Sequence, residues 1–218
     1  GVRAAPVRGD LPSMKMLVVF EKTGAARFIG HLDLQRAMQR ALRRSGLPVR
    51  YSQGFNPHLL ISFASPLSVG TEGLREILEV PLSGDVPAER FLSQLNAALP
   101  PGLTASQARE LPDDAPKAMA RLYAARYKIL PAEEADSLLA AATAFLRQEA
   151  IPFLRKSKSG ERTEDLKPLV LALETGDGAL YATLCCHERG TAKPEQLMAA
   201  LAAFAGMPVP RCRFFRER

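Results

Sequence analysis

Arg36, Arg40, Arg43 and Arg44 fall within a stretch of nine residues. At 100° per residue they share one arc of an α-helix, opposite Leu34, Ala37, Met38, Ala41 and Leu42. Clustered guanidinium groups repel one another, so such a face gains when Asp33 or an external anion balances it. The planar fork of arginine matches phosphate oxygens, and each phosphate neutralised releases counterions. The chemistry expected of this face is phosphate binding. The plainer expectation is a solvated face that does nothing more.

Directly downstream, Arg50-Tyr51-Ser52-Gln53-Gly54-Phe55-Asn56-Pro57-His58 interleaves a cation, aromatics, small polar groups and a histidine. Arg50, Tyr51, Gln53, Phe55, Asn56 and His58 could stack bases and read their edges. Alternatively the segment is a Gly/Asn/Pro turn with its aromatics packed inward. Arg27 and His31 are expected to join this loop in one concave polar site. His31 opens the helix near its apolar arc, which suits a capping or buried histidine. If the protein were an enzyme, His31 and His58 would be its general acid and base. A helix of fifteen residues spans about 22 Å, so the two meet only if the loop folds back along it.

The elements that must position these groups follow from the apolar pattern. From Lys15 onward the runs read strand, helix from His31 to Ser45, extended runs at His58–Leu67 and Leu74–Leu82, helix after Pro87, and strand Leu103–Leu111. A second pass from near Arg121 repeats the order, with helix Ala132–Glu149, extended runs Asp165–Thr175 and Ala179–Glu188, a helix after Pro194 and a last strand at Val209–Glu217. The fold class expected is α+β: tandem ferredoxin-like βαββαβ units, each an antiparallel sheet covered by two helices. The boundaries expected are a tail or cloning remnant at 1–14, a first unit at 15–112 and a second at 113–218. Between helix and strand of the second unit, Arg155, Lys156, Lys158 and Arg162 form an expected basic loop matching the first, and Arg211, Arg213, Arg216 and Arg218 add charge near the end.

Composition sets the outer limits. A net charge of +6 points to an anionic partner, with RNA the expected one. No apolar run is long enough to cross a membrane, so a soluble protein with no membrane partner is expected. Cysteines 185, 186 and 212 fit neither a disulfide framework nor zinc spacing, which suits a cytoplasmic protein; adjacent Cys185 and Cys186 would point to opposite faces of a strand, so no metal and no cofactor are expected.

The residues Arg27-Phe28-Ile29-Gly30-His31-Leu32-Asp33-Leu34, the arginine series, Gly46-Leu47-Pro48, Tyr51-Ser52, Gly54 through His58, Ser62-Phe63-Ala64 and Pro66-Leu67 resemble the radical-SAM-linked protein family. The resemblance is dense from Arg27 to Gly70 and thins through Asp165-Leu166-Lys167-Pro168 to the C-terminal arginines. Gly30 and Leu59 depart from it, standing where the family usually has serine and proline. It implies a partner: a radical SAM enzyme, encoded on a separate chain because the cysteine triplet that binds the iron–sulfur cluster is absent here. Three functions are expected in descending order: a non-catalytic RNA-binding accessory protein presenting RNA to that enzyme, a metal-independent endoribonuclease, and a protein-only scaffold docking on an acidic partner.

Overall fold

The computed structural model describes residues 14–133, 135–157, 160–187 and 190–217. Residues 1–13, most of the expected tail, lie outside them. The described chain is mixed α+β, with a large, mostly antiparallel sheet and five α-helices. It divides into two compact units, residues 14–66 with Glu76–Met119, and Leu67–Arg75 with Ala120–Arg218. No helix among the described residues is long and apolar enough to cross a membrane.

In the first unit, β1 (Met14–Lys22) alternates so that Met16, Val18 and Phe20 are fully buried. Helix α1 (His31–Arg44) lays Leu34, Met38, Ala41 and Leu42 on those side chains, which is the arc expected from the sequence. Then follow β2 (Ser62–Phe63), β3 (Thr71–Leu82), α2 (Ala88–Ala98) and β4 (Leu103–Pro112). The order across the sheet is β4-β1-β3-β2, with β1 antiparallel to β4 and β2 antiparallel to β3. Phe91 and Leu95 of α2 close the core.

The run His58–Leu67 was expected to be extended, yet only Ser62–Phe63 is strand. Proline supplies no amide donor at 57 and 66. The chain instead turns on local bonds: Tyr51 bridges Leu59, and the Ser52 amide donates to the His58 carbonyl at 2.8 Å.

After the one-turn helix α3 (Ala118–Arg121), β5 (Ala124–Pro131) of the second unit leads to α4 (Ala135–Leu146), then to a hairpin of β6 (Pro152–Ser157) and β7 (Gly160–Asp165). The chain continues through β8 (Val170–Gly176), β9 (Ala179–His187), β10 (Gly190–Thr191), α5 (Pro194–Phe204) and β11 (Cys212–Arg216). The order β11-β5-β9-β8 repeats that of the first unit, and all three contacts are antiparallel. On its other side β11 runs parallel to Thr71–Gly73, the first residues of β3, which belong to this second unit. Ile129, Leu138, Phe145, Leu180 and Leu197 form the centre of this unit's core.

The hairpin corrects the expected basic loop. Arg155 stands opposite Arg162 and Phe153 opposite Glu164, and the strands bear so many charges that hydrophobic alternation did not reveal them. Glu164 makes the pairing possible, since it holds Arg155 at 2.7 Å and also accepts from Arg162.

Candidate nucleic-acid interface

The solvent face of α1 is built by the same periodicity that builds its core face. Leu32, Arg36, Arg40, Arg43 and Arg44 are all exposed. Arg36 pairs with Asp33 at 3.0 Å, but both side chains are 63% exposed, so the pair costs little to open. Arg44 donates to the Ala98 carbonyl at 2.7 Å, which fixes the end of the row against α2. Arg40 and Arg43 have no ion-pair partner among the described residues. The helix therefore presents four cations with one weak internal anion.

The segment before α1 is a 3-10 turn, Gly24–Phe28. Arg27 donates to the Gly24 carbonyl at 3.0 Å, and its guanidinium carbon sits 4.3 Å from the Phe28 ring centroid. Phe28 is 60% exposed and Leu32 is 66% exposed. Sequence reasoning did not single out either; nothing in an apolar residue type announces that it will face solvent, and only the placement of the turn reveals it.

After α1, the Tyr51–His58 loop projects its aromatics outward rather than packing them inward. Phe55 is fully exposed, Tyr51 is partly so, and Gln53, Asn56 and His58 are exposed. The His58 ring shares a 2.8 Å hydrogen bond with the Ser52 hydroxyl, and Ser52 Oγ also accepts from the His58 amide at 3.0 Å. These bonds preform the loop. Arg50, counted with the loop from the sequence, is committed elsewhere: it forms a two-pronged pair with Asp113, 3.0 Å on one side.

His31, at the start of α1, is half-buried. Its ring packs edge-on against Phe63, with centroids 5.3 Å apart, and its Nδ1 is buried without a hydrogen-bond partner among the described residues. No hydrogen bond or ring contact joins it to His58 among the described residues. In the second basic group, Arg155 is held by Glu164 and donates to the Thr191 carbonyl at 3.1 Å, while Arg162 is 79% exposed and bound to Glu164. Hydrogen bonding from Arg162 holds the Glu164 carboxyl below its ordinary range. Lys156 lies in β6, and Lys158 and Arg218 lie outside the described residues.

A second charged cluster escaped the sequence reading. Lys15 and Glu79 are buried and 3.3 Å apart, and Lys15 also donates to the Ala115 carbonyl. With Arg50, Asp113 and Lys117 they line a cleft of about 340 Å³ walled by Leu60, Ile61 and Pro81. Its charges are largely compensated within the cleft. In the second unit Arg126 bonds Glu174 at 3.1 Å and Glu217 at 3.4 Å, a similar compensation.

The three thiols are free, with Cys185 buried. Burial pushes the Cys186 thiol up and Cys212 up to about 11, so neither is poised as a thiolate. Among the described residues no group of three or more His, Cys, Asp or Glu is arranged to hold a metal ion.

The chain belongs to a bacterial family described as "Uncharacterized protein conserved in bacteria (DUF2344)", which it matches over residues 15–194. That span takes in the whole of the α1 face and the second unit as far as the start of α5. No curated protein matches the chain.

Proposed function

We propose that this chain is a non-catalytic, cytoplasmic RNA-binding accessory protein that presents RNA to a radical SAM enzyme encoded on a separate chain. The observation that carries the reading is the face of α1, where Arg40 and Arg43 stand exposed without a carboxylate partner among the described residues. Rows of uncompensated arginine are costly to keep unless an anion shares them, and a polyphosphate backbone does so repeatedly. The preformed loop with exposed Tyr51 and Phe55 supports RNA over a simple inorganic anion, because rings add stacking to charge. The scaffold is read as two ferredoxin-like units, supported by the strand order shared by the two halves. The partner enzyme rests on the resemblance of residues Arg27–Gly70 alone.

Charge reversal tests the RNA half. The double variant Arg40→Glu, Arg43→Glu should weaken binding of total cellular RNA at physiological salt by an order of magnitude or more. Its melting temperature should stay close to that of the parent, since both side chains point away from the core. Unchanged RNA affinity would remove the reading and turn attention to an acidic protein surface. The partner half is tested by co-elution of the chain with a radical SAM enzyme from the same cell on size exclusion.

A further inference from the structure

We infer that the α1 face takes single-stranded rather than duplex RNA, with Phe28 and Phe55 as stacking platforms flanking the arginine row. This rests on the RNA-binding reading above and names its substrate class. Three observations combine. The first is the cost of exposure: Phe28 is 60% exposed and Phe55 fully exposed, although large aromatics gain most from burial. The second is preparation of the surfaces. Arg27 lies 4.3 Å from the centre of the Phe28 ring and is itself anchored to the Gly24 carbonyl, so a ring and a planar cation are already held against each other. The Phe55 loop is braced by the paired Ser52–His58 bonds.

The third observation is the order along the chain. Leu32, Arg36 and Arg43 fall at 100°, 140° and 120° around the helix, counting His31 as zero, so they form one stripe that Arg40 widens. Phe28 precedes this stripe by one turn's worth of residues, and the Phe55 loop follows the helix. Fourteen residues of helix make a rod of about 21 Å. A track of that length suits on the order of four nucleotides, the lower end of the site sizes seen for single strands. In a duplex the base faces are occupied by stacking on one another, so neither ring could be used and only the arginines would bind. Splayed bases of a single strand offer free faces to both.

Fluorescence anisotropy with a labelled octauridine strand and a blunt RNA duplex of eight pairs tests this. The parent should bind the single strand about tenfold or more tighter than the duplex. Phe28→Ala and Phe55→Ala should each weaken the single strand about fivefold or more and leave the duplex within about twofold, in line with the stacking free energy of one base. Phe28→Tyr should retain binding and Phe28→Leu should not, which separates stacking from simple apolar contact. Equal affinity for strand and duplex, or a single-strand affinity indifferent to Phe28→Ala, would overturn the inference. If Arg43→Glu still weakened binding in that case, the RNA-binding reading would stand without it. A parent chain that bound neither RNA would sink both.

Discussion

Removing the ammonium of Lys15 should cost far more stability than removing any arginine of α1. Lys15 and Glu79 are each more than nine-tenths buried, and taking away one partner strands the other charge in the interior. Lys15→Met should lower stability by about 3–5 kcal/mol, and adding Glu79→Leu should recover most of it. Urea denaturation of the two variants checks this; an equally unstable double variant would contradict it. Cys212 offers a second test at this scale. With its thiol pushed up to about 11, the thiolate population at pH 8 is roughly a hundredfold below that of an ordinary cysteine, and alkylation by iodoacetamide should be slower in proportion. Rates matching free cysteine would show that the site is more open than its burial suggests. Residue roles were only partly legible in the sequence. The arginine arc of α1 could be drawn from periodicity, because side-chain direction on a helix follows from position alone. The pairing of Arg50 with Asp113 could not, since the two are 63 residues apart and meet only through the fold.

At the scale of elements, the turn that carries Phe28 depends on Gly102. Its φ is +84°, and a Cβ there would lie 2.8 Å from both the Thr23 carbonyl oxygen and the Ala26 Cβ. The Thr23 amide also donates to the Gly102 carbonyl at 2.9 Å, so the 3-10 turn and the entry to β4 are built as one piece. Gly102→Ala therefore meets both backbone strain and a clash. A loss of about 2 kcal/mol or more is expected, a fall of about 4–8 °C in melting temperature for a chain of this size. Calorimetry reads it directly, and an unchanged transition would show that the turn relaxes freely. Three helices were legible to within about a residue because their apolar stripes are strong and Pro87 and Pro194 mark two starts, whereas α4 runs Ala135–Leu146 against an expected Ala132–Glu149 and the one-turn helix Ala118–Arg121 had no expected counterpart. The β6–β7 hairpin was hidden because charged cross-strand pairs stabilise it, and charge runs look like loop in a sequence. The short β2 was overestimated for the opposite reason: apolar residues of the His58–Leu67 run pack into the core without joining the ladder, as buried Leu59 and Leu67 do.

For the whole molecule, the mixed α+β class with a large, mostly antiparallel sheet was legible from the alternation of apolar runs with helical stripes, which is why fold class was easier to read than function. The proposed function was less legible because it rests on which cations remain uncompensated, and compensation comes from residues distant in sequence. Of the chain's 29 Lys and Arg residues, those of α1 matter to this account because the fold leaves Arg40 and Arg43 without carboxylates among the described residues while it neutralises Arg50, Arg126 and Arg155. The most direct measurement is the salt dependence of binding to a single-stranded RNA. With about four phosphate contacts, the logarithm of affinity should fall against the logarithm of salt concentration with a slope near −3, at about −0.7 per contact. Arg40→Glu with Arg43→Glu should flatten that slope by about 1.4. A slope close to zero in the parent chain, or one that the double variant leaves unchanged, would contradict the assignment of α1 as an RNA-binding face.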